Sequence, residues 1–309
     1  MTPSWPTSSL ATRGRPPSTT SVSGQTVRVT EIGIFIVPSA EDPDLTIRQA
    51  LAADAGGLDY IGVQDHPYQR RFFDTWTFLS YVAGRTGSVR MLTDVVNLPL
   101  RPPSMLAKSA ASLDVLSGGR VEIGIGAGGF WDAVAAMGGP RRSPRESVDA
   151  LEEAIAIIRD FWDGAEVIRR DGVHYQVVGA KPGPPPAHRI GLWIGAYGPR
   201  MLRITGRLGD AWLPSLGGHY LQPSDVAPMQ AAIDDAARAA GRDPSEIKRA
   251  INVMALDGEP SGWADQLVAI ATELRFETLL VGTPTDAPLD FIRRLGEEIA
   301  PEVRSRTTD

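Results

Sequence analysis

The composition of the 309-residue chain, 42% hydrophobic and 22% charged, is typical of a soluble globular protein with a large buried core. Its formal net charge of -6 argues against a general nucleic-acid binder, because such proteins neutralise many phosphates with cationic side chains. The absence of cysteine excludes disulfides and thiolate metal sites and suits a cytoplasmic enzyme, and no run of about 18 apolar residues predicts a membrane span. Residues 1–26 are rich in Ser, Thr and Pro and predict a disordered tail, which leaves 27–309 as one domain.

Strand and helix patterns alternate along the chain from its first apolar run. The strands predicted from such runs are 29–37, 59–64, 88–96, 121–129 with its glycine-rich end, 190–194, 210–214, 247–255 and 277–281. Each is followed by a helical pattern: 44–55, 72–84, 104–116, 143–162, a helix opening at 199, 223–240, 262–274 and 287–299. Eight consecutive right-handed crossovers predict a closed (β/α)8 TIM barrel, with an open doubly wound sheet as the alternative.

The regular spacing is interrupted between the fourth and fifth strands. There, 166–170 and 173–178 flank a turn at Asp171 and Gly172, which predicts an inserted β-hairpin. This insertion separates the two halves of the predicted barrel.

The fourth strand has a glycine-rich end, in which Gly124, Gly126 and Gly128 occupy alternate positions and Gly129 follows. Glycines at a strand end let a flat ring or a phosphate approach the main chain, although close helix packing alone also explains them. The pattern resembles a dinucleotide fingerprint, but no helix begins directly on it and no acidic residue closes a following strand. A nicotinamide Rossmann domain is therefore disfavoured.

Active sites of TIM barrels lie at the C-terminal ends of the strands, so the residues there are the candidates. His66 directly follows the second strand, where an imidazole is placed to give or take a proton, although a structural role is the alternative. His174 and His188 lie in connections and are predicted to be solvated, whereas His219 either reaches the mouth or lies on the surface. The histidines carry no metal-binding spacing, which argues against a metal hydrolase.

A phosphate seat is predicted where Gly195 to Pro199 open the fifth helix, because helix N-termini present free N–H groups to anions. An ordinary tight turn explains the same glycines. After the fourth strand, Arg141, Arg142 and Arg145 supply the local cations that the acidic chain otherwise lacks, or form a solvated helix start.

Aromatic side chains follow several of the predicted strand ends. Tyr68, Phe72, Phe73 and Trp131 are candidates for the wall of an apolar pocket over a ring, although aromatic residues at this density also occur in plain cores.

The motifs together resemble the bacterial luciferase-like flavin oxidoreductases, and within them the branch that uses the deazaflavin coenzyme F420. The resemblance spans about 30 to 285 and rests on Asp65-His66-Pro67, the runs 113–120 and 124–128, and the runs 194–200 and 209–212. It implies a ring over the C-terminal mouth, His66 as the acid or base, and a non-proline cis peptide at Asp94-Val95.

The site residues predicted on this basis fall into two groups. The cofactor contacts are Asp65, Asp94, Val95, Gly126, Gly128, Gly195, Ala196, Tyr197 and Gly198, with the phosphate on the last four. The substrate pocket comprises Tyr68, Phe72, Asn97, Trp131, Ser215, Leu216 and His219. The chain departs from the sugar-phosphate dehydrogenases of the family, which carry a Glu at Gly129 and a Lys at Gly218, so a neutral alcohol, aldehyde or enone is the expected substrate.

Three functions remain open on the sequence. The first is an F420-dependent oxidoreductase, favoured because arginines near the mouth suit the anionic tail of that coenzyme. The second is an FMN-dependent monooxygenase that uses oxygen and a partner reductase, and the third is a non-catalytic flavin-binding protein. A small-molecule substrate and a homodimer are expected, with no nucleic-acid or membrane partner.

Overall fold

A computed structural model describes residues 21–22, 25–26 and 29–308. The predicted tail lies outside these residues, except that Ser21–Val22 and Gln25–Thr26 pair as short antiparallel strands. From there the strands are β1 Glu31–Ile36, β2 Tyr60–Val63, β3 Arg90–Val96, β4 Val121–Ile125, β5 Ile168–Asp171, β6 Gln176–Ala180, β7 Leu192–Ile194, β8 Ala211–Trp212, β9 Ser215–Leu216, β10 Lys248–Val253 and β11 Thr278–Gly282.

The strands close into the predicted TIM barrel. Parallel pairing runs from β10 through β11, β1, β2, β3, β4 and β7 to β8, and β8 also pairs with β10, which closes the ring. The sixth of the eight strand positions is split, because β8 and β9 are separated by Leu213 and Pro214. Closure excludes the open doubly wound alternative.

The antiparallel pair β5 and β6 forms the predicted hairpin between the fourth and fifth barrel strands. Its pairing extends from Ile168 opposite Ala180 to Asp171 opposite Gln176, so the turn lies slightly later than predicted.

Ten α-helices surround the barrel in the described chain. They are α1 Pro43–Ala55, α2 Thr75–Ala83, α3 Pro103–Ser117, α4 Trp131–Ala136, α5 Pro144–Trp162, α6 Pro199–Leu208, α7 Pro223–Ala239, α8 Trp263–Thr272, α9 Pro288–Arg294 and α10 Ala300–Thr307. Sequence patterns predicted eight helices, and two are additions: α4 begins shortly after the glycine-rich end of β4, and α10 lies beyond the predicted end of the last helix at 299. Local chemistry fixes the helix starts: Ser143 and Glu146 form a capping box at α5, and Asp74 caps α2.

The barrel interior is built in three layers of inward-facing side chains. Glu31, Arg90 and Lys248, each the first or near-first residue of its strand, form an ionic lower layer. An apolar middle layer comprises Tyr60, Leu92, Trp193, Ala211, Leu213, Ala250 and Leu280. Above it lies a polar upper layer of Asp94, Ser215 and Asn252, just beneath the C-terminal mouth. The larger apolar core fills the space between the barrel and its helices.

Candidate active site

The ends of β3, β4 and β7 meet at the C-terminal rim around Val95. The peptide bond between Asp94 and Val95 is cis, as predicted. A Cβ atom added to Gly126 would lie 3.4 Å from Val95 Cγ2, and one added to Gly195 would lie 3.3 Å from Val95 Cγ1. The two glycine clusters, distant in sequence, therefore flank one backbone bulge.

His66 lies at the same rim, half-buried, at the end of β2. Its Nδ1 atom is 2.6 Å from the Tyr68 hydroxyl, and its Nε2 atom makes no hydrogen bond with any described residue. Burial lowers the pKa of His66 below its ordinary value, and the attraction of the Asp65 charge offsets this only in part. The imidazole is therefore neutral near pH 7, with one ring nitrogen open to a ligand.

Phe130 completes an aromatic wall beside His66 and was missed by the sequence analysis. Its ring meets the imidazole edge to face at a centroid distance of 5.5 Å and lies 5.8 Å from the Tyr68 ring. Phe130 is 68% exposed and adopts a left-handed backbone, with φ of 54°, directly before α4. A bulky residue held open to solvent in this conformation is typical of a binding site. No sequence pattern signalled it, because the short helix that positions it was not predicted.

Asp65 supports the rim from beneath. Its carboxylate receives two 2.7 Å hydrogen bonds from Arg101 and one of 2.8 Å from the backbone N–H of Asn97. Arg101 also donates to Asp74, the capping residue of α2, so one guanidinium ties β2, β3 and α2 together. Both oxygens of Asp65 are engaged within the protein, and its predicted contact with a cofactor stays a prediction.

The upper layer of the barrel contains buried polar atoms without protein partners. Asp94 Oδ1 accepts a 3.0 Å hydrogen bond from Asn252, whereas Asp94 Oδ2, Asn252 Oδ1 and Asn97 Oδ1 are buried and unpaired. Burial raises the pKa of Asp94 to about 7, although the hydrogen bond from Asn252 opposes this shift. Buried unpaired oxygens are rare in folded proteins and are a reason to expect a ligand.

The predicted phosphate seat is the N-terminus of α6. Gly198 precedes the helix, no side chain caps it, and a Cβ atom on Gly198 would meet nothing within 4 Å. The other predicted contacts are partly used: the Ala196 carbonyl accepts from Trp212 Nε1, and the Tyr197 hydroxyl accepts from the backbone N–H of Ser215. Pro199 has no N–H, so the N–H groups of Arg200 and Met201 are the ones that this helix end, open beside Gly198, would offer to an anion.

Gly128 lies in the loop between β4 and α4, with φ of 97°. A Cβ atom there would lie 2.6 Å from Pro99 and 3.1 Å from Trp131. Trp131 therefore packs at this rim, and its place in a substrate pocket stays a prediction.

The remaining predicted pocket residues are scattered around the rim. Leu216 pairs with Val253 beside the upper layer, and His219 stacks on Tyr220 in the exposed loop that follows. Phe72 is half-buried and bridges through its backbone to Ser39, with no ring contact to His66 or its aromatic neighbours.

The three arginines predicted to face an anion differ in their surroundings. Arg141 pairs with Asp132, and Arg142 lies over the Tyr175 ring and donates to its hydroxyl. Arg145 is 89% exposed, and its ion pair with Asp149 is long, at 3.9 Å. Its guanidinium is therefore largely available to bind an anionic group.

The prediction that His188 is solvated was wrong. Its Nδ1 atom lies 2.8 Å from Asp114 and its Nε2 atom 3.5 Å from Glu122, at the start of β4. Burial opposes protonation, but the two carboxylates outweigh it and raise the pKa of His188 to about 9. The Pro-rich sequence around this residue gave no sign of these partners, which approach only in the folded barrel.

A cavity of about 440 Å³ lies at the ends of β10 and β11, where Met254, Trp263 and Phe291 contribute to its apolar lining. None of the predicted site residues lines it. This recess lies at the C-terminal end of the barrel, apart from the residues around His66.

The chemistry of the mouth fits a flat redox ring with an anionic tail. The glycines at the ends of β4 and β7 lie against the Val95 side chain, buried oxygens of Asp94 and Asn252 are unpaired, and the N-terminus of α6 has no side-chain cap. A proton-transfer group, His66, stands on the same rim.

Known proteins resemble this chain in sequence. A family model described as luciferase-like monooxygenase matches residues 20–272. A phthiodiolone/phenolphthiodiolone dimycocerosates ketoreductase of Mycobacterium sp. strain JLS is 34% identical over 206 residues, which cover 65% of this chain and 52% of the relative. The chain thus spans about half the length of that ketoreductase. An F420-dependent hydroxymycolic acid dehydrogenase of Mycobacterium tuberculosis strain H37Rv is 32% identical over 263 residues, which cover 82% of this chain and 69% of the relative.

Solved structures share the barrel. An F420-dependent secondary alcohol dehydrogenase in complex with an F420-acetone adduct superposes with a TM-score of 0.75 at 20% identity, covering 89% of this chain and 99% of the other. A riboflavin lyase with modified FMN and riboflavin gives a TM-score of 0.76 at 16% identity, with coverages of 91% and 92%. At these identities the likeness shows the fold alone.

Proposed function

The chain belongs to the luciferase-like monooxygenase family, and from this premise we propose that it is an F420-dependent oxidoreductase that interconverts an alcohol and its carbonyl compound. The observation that carries the proposal is His66, neutral and with a free Nε2 atom, on the rim that holds the Val95 bulge. Relatives named as a ketoreductase and as an F420-dependent dehydrogenase support it.

His66 moves the proton in this proposal. In the oxidative direction, neutral His66 accepts the hydroxyl proton of the alcohol at Nε2 while the carbinol carbon loses a hydride. Burial, with a smaller effect of the Asp65 charge, raises the pKa of Tyr68 to about 12, so Tyr68 stays a neutral phenol. In this role Nδ1–H of His66 donates to the Tyr68 oxygen, which leaves the lone pair of Nε2 free to accept the proton. In the reductive direction the imidazolium returns the proton to the carbonyl oxygen.

Other residues of the mouth would hold the coenzyme. Val95, Gly126 and Gly195 would lie against the ring, and the main chain around Gly198 would hold its phosphate. When bound, the deazaflavin supplies a ring carbon that accepts or donates the hydride. Phe130 and Tyr68, which contact each other and His66, would limit the access of water to the reacting group.

The proposed substrate is a neutral molecule with apolar substituents. Gly129 and Gly218 offer no charged side chain for a substrate phosphate, and the wall beside His66 is aromatic. Within the described residues, no helix is long and apolar enough to cross a membrane. The predicted homodimer stays a prediction.

An FMN-dependent monooxygenase is the second candidate. The description of the family model as a luciferase-like monooxygenase favours it. Both candidates would use the same glycine-lined mouth, so cofactor affinity separates them.

Fluorescence titration of the purified protein with F420 and, separately, with FMN tests the proposal. We expect a dissociation constant of about 1 µM or lower for F420, roughly 8 kcal/mol of binding free energy, and weaker binding of FMN. Tighter binding of FMN than of F420 would reverse the assignment, and binding of neither would remove it. Bleaching of F420 by secondary alcohols then identifies the reaction.

A further inference from the structure

One hydrogen bond crosses the barrel interior directly beneath the mouth. Asp94 lies on β3 and Asn252 on β10, and these strands are four positions apart in either direction around the ring. Asn252 Nδ2 donates to Asp94 Oδ1 at 3.0 Å and lies 3.4 Å from Ser215 Oγ. Asp94 and Asn252 therefore form a polar floor, which is part of the upper layer and links opposite walls.

The polar floor has hydrogen-bonding capacity that the protein does not use. Asp94 is 6% exposed and Asn252 is 4% exposed, yet Asp94 Oδ2 and Asn252 Oδ1 make no hydrogen bond. Asp94 Oδ2 lies against the backbone of β2, where a Cβ atom on Gly62 would be 2.8 Å away. A buried ionised carboxylate in such a position is costly unless it is paired with a cation.

The groups that face Asp94 supply no positive charge. Asn252 comes from β10, Ser215 from β9 and Gly62 from β2, and the titratable group coupled to Asp94 is the phenol of Tyr197. No Lys, Arg or His among the described residues forms an ion pair with it. Its surroundings therefore favour a proton on Oδ2.

We propose that Asp94 acts as a neutral acid at the base of the ring site, and that cofactor binding therefore takes up a proton above neutral pH. This inference rests on the proposed function. The polar floor is already buried, and a ring seated on the Val95 bulge would cover the mouth above it and move the solvent further away. Because no cation compensates, the greater distance from water further penalises ionised Asp94 and favours the protonated form.

The sign of the effect follows from proton linkage. The pKa of Asp94 in the folded protein is about 7, above the 3.8 of an unperturbed Asp. Stability from this group is therefore fully present below about 3.8 and is lost as the pH rises through about 7. Cofactor affinity should fall about tenfold for each pH unit above the pKa of the free protein, until the pKa of the complex is reached. The pKa of His66 is lowered below 6.5, so His66 does not titrate in the pH range above about 7 where the change in cofactor affinity is expected.

The first experiment uses the protein without cofactor. Denaturant unfolding of wild type and Asp94→Asn is compared from pH 5 to pH 8, with Asp132→Asn as control because Asp132 is 88% exposed on the same rim. We expect Asp94→Asn to gain stability relative to wild type as the pH rises, and Asp132→Asn to follow wild type. Parallel profiles for wild type and Asp94→Asn would overturn the inference.

The second experiment measures proton uptake. Calorimetric titrations with F420, or with FMN if it binds more tightly, are run at pH 8 in buffers of different ionisation enthalpy. We expect wild type to take up part of a proton and Asp94→Asn to take up less, with an affinity that no longer falls with pH. Equal uptake by both proteins would overturn the coupling.

The two experiments also separate this inference from the proposed function. If neither cofactor binds at any pH, the proposed function and the coupling fail together, while the unfolding profiles still decide the protonation state of Asp94. If Asp94→Asn does not fold, the carbonyl band of a protonated carboxyl in wild type, followed by infrared spectroscopy against pH, decides it. Loss of that band well below neutral pH would contradict a neutral Asp94.

Discussion

The two ends of the barrel interior treat buried carboxyl groups in opposite ways. At the lower end, Glu31 pairs with Arg90 and accepts hydrogen bonds of 2.6 Å from Lys248 and 2.7 Å from Thr278. At the upper end, Asp94 receives one amide hydrogen bond and leaves an oxygen unpaired. A buried carboxyl group thus has cationic and hydroxyl partners at the lower end of the barrel, whereas a buried carboxyl group at the upper end has one hydrogen bond and an unpaired oxygen.

The pKa values of these two groups follow the contrast. Burial opposes ionisation of both, but Lys248 and Arg90 outweigh it and lower the pKa of Glu31 to about 2, whereas nothing outweighs it at Asp94. The lower layer does have an unpaired atom next to it, the Tyr60 hydroxyl, although Arg90 lies over that ring. We infer that the ion pairs of the lower end stabilise the fold, whereas the upper end retains unused hydrogen-bonding atoms for a ligand.

The largest expected effect tests the lower end. Glu31→Gln should cost about 3 kcal/mol of unfolding free energy at pH 7, because it leaves Arg90 and Lys248 without their buried anion. Since the pKa of Glu31 is lowered, this stabilisation is present above about pH 4.5 and is lost as the pH falls towards 2. Denaturant unfolding measures the effect, and an unchanged midpoint would contradict the assigned role.

His66→Ala tests the upper end. We expect turnover to fall at least about 100-fold, the scale of a positioned acid or base, with cofactor affinity and stability nearly unchanged. In wild type, alcohol oxidation should rise with pH through a value below 6.5, because burial lowers the pKa of His66. His174→Ala, in the hairpin, is the matched control. Activity that survives in the His66 variant would exclude its role in proton transfer.

His188 tests, away from the barrel axis, whether a charge partner stabilises buried carboxylates, here Asp114 and Glu122. His188→Gln should cost about 1 to 2 kcal/mol near pH 6, because the imidazolium joins Asp114 and Glu122 at the start of β4. The pKa of His188 is raised to about 9, so its stabilisation is full below about 6.5 and is lost as the pH rises through 9. Equal losses at pH 6 and pH 10, measured by unfolding, would show that its charge contributes nothing.

The smallest expected effect is at the helix end. Gly198→Leu should weaken binding of a phosphorylated cofactor about tenfold, or about 1.4 kcal/mol, because its side chain would cover the first turn of α6. The backbone of Gly198 has φ of -81°, which any residue adopts, and the space around it is open, so stability should be kept. Gly198→Ala serves as the control. Unchanged affinity in the Leu variant would move the phosphate elsewhere.

Much of the fold could be predicted because its signals are local. Apolar runs and helix stops gave the eight alternating units, and the hairpin followed from the turn at Asp171 and Gly172. The short helix α4 and the split between β8 and β9 were not predicted, because these elements are too short to show a periodic pattern of apolar residues. Asp94-Val95 was located by family resemblance rather than by any local rule, and its cis geometry is confirmed.

The sequence by itself determined the order of the strands, the inserted hairpin and the presence of His66 at a strand end, because each depends on neighbouring residues. Only the tertiary structure decided which distant groups meet. It brought Asn252 to Asp94 across 158 positions of chain and His188 to Asp114 across 74. It also placed Phe130 against His66. Whether a buried carboxyl is ionised depends on the cations that closure of the barrel brings to it, and one chain segment cannot contain that information.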